Sequence, residues 1–142
     1  MSSSYDASFS VSNTNVNPNV EKKLKALIVN DNRTVTMIQK ALVRKFGVEA
    51  DEVKNGQEAI LAHRSGACFD LILIDLDLHV INVRQTIKEL RDMQVYGLIV
   101  GVTFFGEEEM KPFMDAGLDY YYPMPLTIDA VRHLVEKIKE NA

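Results

Sequence analysis

The stretch LILIDLDLHV, residues 71–80, carries the strongest information about the fold. Four apolar residues lead into Asp75 and Asp77, which is the pattern of a buried strand that ends in two carboxylates. Other short runs rich in β-branched and aromatic residues are KALIVN, ADEV, LIVGVTF and DYYYP. Each of these runs predicts a strand, so five strands are expected.

Segments with helical spacing separate the predicted strands. One apolar helix face is predicted from Val35, Ile38, Leu42 and Phe46, and another from Ile128, Val131, Leu134, Val135 and Ile138. Gly47 follows the first helix as a C-terminal cap, and Thr127 precedes the second as an N-cap. Strands that alternate with helices predict the α/β class, namely a flavodoxin-like doubly wound (βα)5 domain with a five-stranded parallel sheet in the order 2-1-3-4-5.

Composition predicts one compact domain preceded by a polar tail. The chain has 142 residues, of which 46% are hydrophobic and 25% charged, an ordinary mixture for a globular domain. Ten of the first twenty residues are Ser or Asn, without helical or strand periodicity. This composition predicts a disordered tail over residues 1–20 and a folded domain over residues 21–142.

Charge and cysteine content argue against several classes of function. A formal net charge of −4 gives no basic surface for binding nucleic acid or an anionic membrane. No apolar run approaches the roughly eighteen residues of a membrane span, and the single cysteine, Cys68, excludes an internal disulfide. The N-terminus lacks the charged-then-apolar pattern of a secretory signal. We therefore expect a cytoplasmic or nuclear protein whose partners are proteins or small ions.

Polar residues fall where the predicted strands end, which is where ligands bind in this architecture. They are Asn30 and Asp31, Asp75, and Thr103, with Met124 at the end of the last strand. Asp31 and Asp75 follow neighbouring strands, so their carboxylates should converge. Oxygen ligands suit Mg²⁺, and an aspartate beside such an ion can take up a phosphoryl group as an acyl phosphate. The alternative is that each acid is merely solvated or caps a helix.

Enzyme alternatives have less support. Asp75 and Asp77 also suggest a phosphatase pair, but such pairs follow the first strand, precede Thr or Val where this chain has His79, and need a later acidic pair that is not evident after Thr103. No glycine-rich nucleotide loop and no serine or cysteine triad can be assembled. We therefore predict that the protein is not a turnover enzyme. A flavin binder of the same fold is a further alternative, which would show colour on purification.

Five motifs together resemble the response-regulator receiver domain, the phosphoacceptor module of two-component signalling. They are ALIVNDNRTV, EVKNGQEAI, FDLILIDLDLHV, LIVGVTFF and DAGLDYYYPMPLT, and the resemblance extends over residues 24–141. Because the chain is short and carries only a polar tail, it is similar to the stand-alone response regulators of plants.

The resemblance implies roles for five residues. Asp75 corresponds to the phosphorylated aspartate, and Asp31 to the acid that binds Mg²⁺ directly. Asp77 would lend its backbone carbonyl to the metal. Thr103 corresponds to the switch hydroxyl that hydrogen-bonds the phosphoryl oxygen, and Tyr121 to the aromatic residue that moves with it.

Five positions depart from the family pattern: His79 replaces the usual proline of the loop after the acceptor, Val83 lies where a glycine is typical, and the other three concern the site itself. Asn30 replaces one of two adjacent acids and would act only in the outer shell of the metal, Met124 replaces the lysine that pairs with the phosphoryl group, and Phe104 replaces a small residue. A hydrogen bond from a charged donor such as lysine is worth about 1.5–3 kcal/mol. These departures predict weak Mg²⁺ binding and slow, poor or absent phosphorylation.

Two functions are consistent with this pattern. In the first, the protein is a pseudo-receiver that binds a histidine phosphotransfer protein or hybrid histidine kinase and signals by contact, as a monomer or weak dimer. In the second, it is a working phosphoacceptor that takes a phosphoryl group onto Asp75 from a histidine phosphotransfer protein. Asn30, Met124 and Phe104 favour the first function, whereas the retained acids and Thr103 favour the second.

Overall fold

The computed structural model describes residues 22–78 and 82–141, and the tail predicted for residues 1–20 lies outside them. The strands are β1 Lys25–Val29, β2 Glu49–Val53, β3 Leu71–Asp75, β4 Leu98–Thr103 and β5 Tyr120–Pro123. They form one parallel sheet in the order β2-β1-β3-β4-β5. The predicted doubly wound fold and its strand order are therefore confirmed.

Helices connect the strands and cover the sheet. They are α1 Arg33–Arg44, α2 Gly56–Arg64, α3 Val83–Asp92, α4 Lys111–Ala116 and α5 Ile128–Glu140. Four of them begin at a side-chain cap, supplied by Asn32, Asn55, Asn82 and Thr127, which accepts a backbone N–H of the first turn. The described part of the chain contains no helix with the length and apolar content needed to cross a membrane.

Two apolar layers hold the sheet, one on each face. The first layer joins β1, β3 and β4 side chains such as Ile28 and Leu73 to α1 and α5. The second layer joins alternating residues of the same strands, such as Leu27 and Ile74, to α2 and α3. Successive strand residues point to opposite faces, so these near-continuous apolar strands supply both layers. The rigid sheet fixes the positions of the strand ends.

The apolar face predicted for α1 was partly wrong. The buried residues of this helix are Thr36, Gln39 and Val43, whereas Ile38 is 52% exposed. The buried set has the same spacing as the predicted one but is shifted by one residue, which is a rotation of about 100°. The predicted cap at Gly47 also lies three residues beyond Arg44, where the helix ends, although its positive φ of 77° fits the turn that follows.

Candidate functional site

The ends of β3 and β4 place an acid beside a hydroxyl. Asp75 is the last residue of β3 and pairs in register with Val102, so Thr103 at the end of β4 lies one position further along the edge. Thr103 is 1% exposed, whereas Asp75 is half-buried. The Asp77 backbone N–H donates to Asp75 Oδ1 over 2.8 Å, which fixes the turn after β3.

The side chain of Asp77 joins this turn to the end of β4. The Thr103 hydroxyl donates to Asp77 Oδ1 over 2.8 Å, and the Phe104 N–H donates to Asp77 Oδ2 over 3.0 Å. The Phe105 N–H in turn donates to Thr103 Oγ1 over 2.9 Å. Asp77 was predicted to contribute its backbone carbonyl to the metal, and this role of its carboxylate was not predicted. The available signal was a second acid after β3 beside a neighbouring strand that ends in Thr.

The end of β1 holds Asn30 inside and Asp31 outside. Asn30 is 5% exposed and donates its N–H to the Val53 carbonyl over 3.1 Å. Its Oδ1 accepts the Asn32 N–H over 2.8 Å, so the amide supports the turn into α1. Asp31 is exposed. Of the two predicted metal contributors at this strand end, only Asp31 presents its side chain to solvent.

A carboxylate at the end of β2 is balanced by two cations of α1. Glu52 accepts hydrogen bonds from Arg33, with one contact of 2.8 Å at Nη2, and from Lys40 Nζ over 2.9 Å. These hydrogen bonds, that of Arg33 first, lower the pKa of Glu52 to about 2 because they favour its charged form. Glu52 and Asp31 both line a cavity of ≈ 340 Å³, together with Lys54.

Met124 follows β5 and is tied to β4. Its N–H donates to the Thr103 carbonyl over 2.9 Å. The half-buried side chain packs against the apolar layer on the α1 and α5 face. This position therefore contributes apolar packing next to the end of β4 and carries no charge. Phe104, the other departure at the β4 end, is 79% exposed and projects into solvent.

Three tyrosines form most of β5 and alternate between the two faces of the sheet. Tyr121 packs against the α2 and α3 face, whereas Tyr120 and Tyr122 pack against the α1 and α5 face. The Tyr122 hydroxyl lies 2.6 Å from His133 Nδ1. Burial, and to a smaller extent the nearby Tyr120, raises the pKa of Tyr122. Tyr121, the predicted switch aromatic, is therefore separated by the sheet from this pair.

The oxygen ligands available at these strand ends are of the type that Mg²⁺ prefers, but they are few. The described residues contain no group of three or more His, Cys, Asp or Glu side chains placed to hold a metal ion. Asp31 and Asp75 supply two carboxylates, whereas the Asp77 carboxylate is already bound by two donors of β4. Hard oxygen ligands of this kind fit Mg²⁺, which usually keeps several of its waters in protein sites.

A larger cavity, of ≈ 750 Å³, lies at the opposite ends of the strands, where β1, β3 and β4 begin. It is lined by residues that precede β1, β3 and β4, such as Leu24, Phe69 and Val95, and by the end of α5. The predicted phosphoacceptor, switch and metal residues lie at the other ends of the strands, away from this cavity.

Comparisons with known proteins identify the family and agree with the fold. The model of the response regulator receiver domain family matches residues 26–136. The chain is 40% identical over 123 residues to two-component response regulator 24 of Arabidopsis thaliana, covering 85% of this chain and 88% of that protein. It is 42% identical over 112 residues to two-component response regulator ARR22 of the same plant, covering 76% and 79% of the two chains. A CheY-like receiver domain structure from Methylobacillus flagellatus superposes with a TM-score of 0.74 at 27% identity, covering 82% of this chain and 99% of that one.

Proposed function

This chain belongs to the response regulator receiver domain family, and from that premise we propose that it is an atypical receiver that signals by binding other proteins and is phosphorylated weakly or not at all. Receiver domains are signalling modules of two-component phosphorelays, and the plant relatives are response regulators by name. We propose that this chain, too, transmits a signal and does not turn over a substrate.

The observation that carries this proposal is the uncharged, half-buried side chain of Met124 at the end of β5. The Met124 N–H is bonded to the backbone carbonyl of Thr103, so the residue lies next to the end of β4, and its side chain packs into the apolar layer. The family has a lysine here, which would supply a charged donor to the phosphoryl group. A thioether supplies neither the charge nor the proton. The loss of about 1.5–3 kcal/mol corresponds to a roughly 10- to 100-fold weaker hold on that group.

We propose a histidine phosphotransfer protein, or the corresponding part of a hybrid histidine kinase, as the partner. Helix α1 begins two residues after Asp31 and exposes Met37 and Ile38, by 60% and 52% respectively. Exposed apolar side chains beside an exposed acid provide an apolar contact area with a charged margin, which is common at protein interfaces. A partner bound there would sit next to the ends of β1 and β3.

The second candidate, a working phosphoacceptor, is favoured by the position of Asp75 at the end of β3 beside Thr103. In that function an Asp75 carboxylate oxygen forms a bond to phosphorus while the bond from phosphorus to the partner's imidazole nitrogen breaks. The electron pair of the broken bond stays on that nitrogen, which can then take up a proton. Mg²⁺ held by Asp31, Asp75 and the Asp77 carbonyl would supply positive charge beside the transferred group, with Asn30 in its outer shell.

Intact-protein mass spectrometry separates these two candidates. The protein is incubated with Mg²⁺ and either acetyl phosphate or a phosphorylated histidine phosphotransfer protein, beside Asp75→Asn. We expect little or no added phosphoryl mass in the unchanged protein and no loss of partner affinity in Asp75→Asn. Rapid and complete phosphorylation that is lost in Asp75→Asn would instead establish the working phosphoacceptor.

Met124→Lys tests the stated cause, with Met124→Leu as the matched control. The lysine variant should gain phosphorylation, or acyl-phosphate lifetime, by roughly tenfold or more, because it restores one charged donor. The leucine variant changes the shape of the same half-buried side chain without adding charge and should behave like the unchanged protein. Equal behaviour of the two variants would place the defect elsewhere.

A further inference from the structure

We propose that the Asp77 carboxylate is a built-in anion that occupies the place of the phosphoryl group at the end of β4. Its two oxygens hold the Thr103 hydroxyl and the Phe104 N–H, so the donors that would receive a phosphoryl group on Asp75 are already used. The inference rests on the proposed function in one respect, since it takes Asp75 as the acceptor position and Thr103 as the switch hydroxyl.

The geometry of this contact is that of an anion cradle. The Thr103 hydroxyl and the backbone N–H of the next residue, Phe104, donate to different oxygens of the Asp77 carboxylate, over 2.8 and 3.0 Å respectively. Thr103 is 1% exposed, so water does not compete for its hydroxyl. Hydrogen bonds to an ionised acceptor are roughly twice as strong as those between neutral groups. The cradle is therefore occupied in the resting protein.

The hydroxyl of Thr103 cannot serve two anions at once. A threonine hydroxyl has one proton to donate, and it is directed to Asp77. Its oxygen is also used, because it accepts the Phe105 N–H over 2.9 Å. A phosphoryl group on Asp75 must therefore displace the Asp77 carboxylate before it gains the switch hydroxyl.

Asp77 is placed to compete directly with that group. Its backbone N–H donates to Asp75 Oδ1 over 2.8 Å, so the residue that carries the internal anion is joined to the acceptor residue through its main chain. A phosphoryl group on Asp75 would bring further negative charge to the turn that carries the Asp77 carboxylate, and like charges repel. Asp77 thus opposes phosphorylation and at the same time holds the β4 end as a phosphoryl group would hold it.

This arrangement gives the receiver one conformation that is independent of phosphorylation. The chain that leaves β4 is held at Phe104 by an acid of the same protein and at Phe105 by the Thr103 hydroxyl that this acid binds. Partner binding that depends on this conformation should tolerate Asp75→Asn and respond to Asp77→Ala. A receiver whose binding conformation depends on phosphorylation should show the opposite pattern.

The Phe104 amide resonance tests the inference in the full-length protein. The spectrum is recorded for the unchanged protein, Asp77→Ala and Asp77→Asn, each with and without Mg²⁺ and beryllofluoride, a phosphoryl mimic. In the unchanged protein we expect a downfield Phe104 N–H that does not respond to beryllofluoride. In Asp77→Ala the signal should move upfield and then respond to beryllofluoride, with an apparent affinity at least about tenfold higher than that of the unchanged protein.

Asp70→Ala is the matched control. The Asp70 carboxylate also accepts a backbone N–H, that of Lys25 over 2.9 Å, but at the opposite edge of the sheet. Its removal deletes the same charge and one hydrogen bond of the same kind and should leave the Phe104 signal unchanged. Thr103→Ser keeps the hydroxyl and should also leave the signal near its original position. If Asp77→Ala does not fold, Asp77→Asn decides. The asparagine side chain has one accepting oxygen and an NH₂ group that only donates, so it cannot accept the two donors on two separate atoms as the carboxylate does.

Three outcomes would overturn the inference. They are an unmoved Phe104 resonance in the Asp77 variants, a response of the unchanged protein to beryllofluoride as strong as that of Asp77→Ala, and no response of the folded Asp77→Ala. The phosphorylation assay is read separately. Phosphorylation of the unchanged protein would overturn the proposed function and leave the resting Phe104 contact standing, whereas an unmoved resonance without phosphorylation would remove the inference alone.

Discussion

The two halves of the strand-end site differ in how their acids are satisfied. In the β3–β4 half, defined by Asp75, Asp77 and Thr103, the second acid binds a hydroxyl and an N–H from the neighbouring strand end. In the β1–β2 half, defined by Asn30, Asp31 and Glu52, Asp31 stays exposed beside a cavity of ≈ 340 Å³. In the first half the Asp77 carboxylate is bound by donors of the protein itself, whereas in the second half the Asp31 carboxylate remains accessible to a ligand.

The difference follows from what the neighbouring strand brings to the edge. β4 ends in Thr103, whose hydroxyl can donate, and the chain continues with a backbone N–H aimed at the same acid. β2 brings a carboxylate, Glu52, which cannot donate and instead draws Arg33 and Lys40 toward itself. Whether an acid after a parallel strand is hydrogen-bonded within the protein or left exposed therefore depends on the donors that the adjacent strand supplies.

Gly101→Val should have the largest effect, because it disrupts the β3–β4 half. A Cβ at Gly101 would lie 2.6 Å from Leu76 Cδ1 and 2.7 Å from Leu76 Cγ, and Leu76 lies between Asp75 and Asp77. Overpacking of this kind costs about 1–3 kcal/mol of unfolding free energy. We expect that loss in urea denaturation, together with an upfield shift of the Phe104 amide as the Asp77 contact breaks.

Leu76→Ala provides the background for a double-mutant cycle. Truncation of Leu76 removes the atoms that obstruct Gly101→Val, so the valine should cost less there than in the unchanged protein. An equal cost in both backgrounds would show that Leu76 is not the obstruction.

Asn30→Asp should have an intermediate effect and acts on the β1–β2 half. The new carboxylate can still accept the Asn32 N–H, and it adds a third acid to Asp31 and Asp75. We expect Mg²⁺ affinity to rise by about tenfold, or ~1.4 kcal/mol, measured by calorimetric titration.

Asn32→Asp is the control for the added charge alone. Asn32 is exposed, and its Oδ1 is used by the Val35 N–H as the cap of α1. The same charge at this position should raise Mg²⁺ affinity less than Asn30→Asp. An equal rise would mean that Mg²⁺ responds to net charge and not to a site at the end of β1.

Glu52→Gln should have the smallest effect, because the ion pair is near solvent. The pKa of Glu52 is lowered from 4.5 to about 2 by Arg33 and Lys40. A lowered pKa in the folded state gives stability that is fully present above pH 4.5 and is lost as the pH falls toward about 2. Across that range, the unfolding free energy of Glu52→Gln should fall less than that of the unchanged protein.

Thermal melts at several pH values in this window measure the difference. Glu140→Gln is the control, since Glu140 forms a longer contact of 3.5 Å with Lys137 at the end of α5. It should follow the unchanged protein. If Glu52→Gln also follows it, Glu52 is not held by its two cations in solution.

The sequence by itself determined the sheet and the position of its functional edge. Five apolar runs separated by helical spacing predicted the doubly wound fold, and the structure confirms it. The same runs located Asp31, Asp75 and Thr103 at strand ends, because a parallel sheet brings the carboxyl ends of its strands to one edge. Periodicity is a local property of the chain, so it can be read without knowing which elements touch.

The tertiary structure alone decided which groups meet at that edge. The Thr103 hydroxyl reaches Asp77 from 26 residues away, and Arg33 reaches Glu52 from 19 residues away. The rotation of α1 that buries Gln39 and exposes Ile38 was likewise set by how the helix rests on the sheet. An apolar pattern records which residues avoid water, whereas the partner of a carboxylate depends on strand register and rotamer, which exist only once the chain has packed.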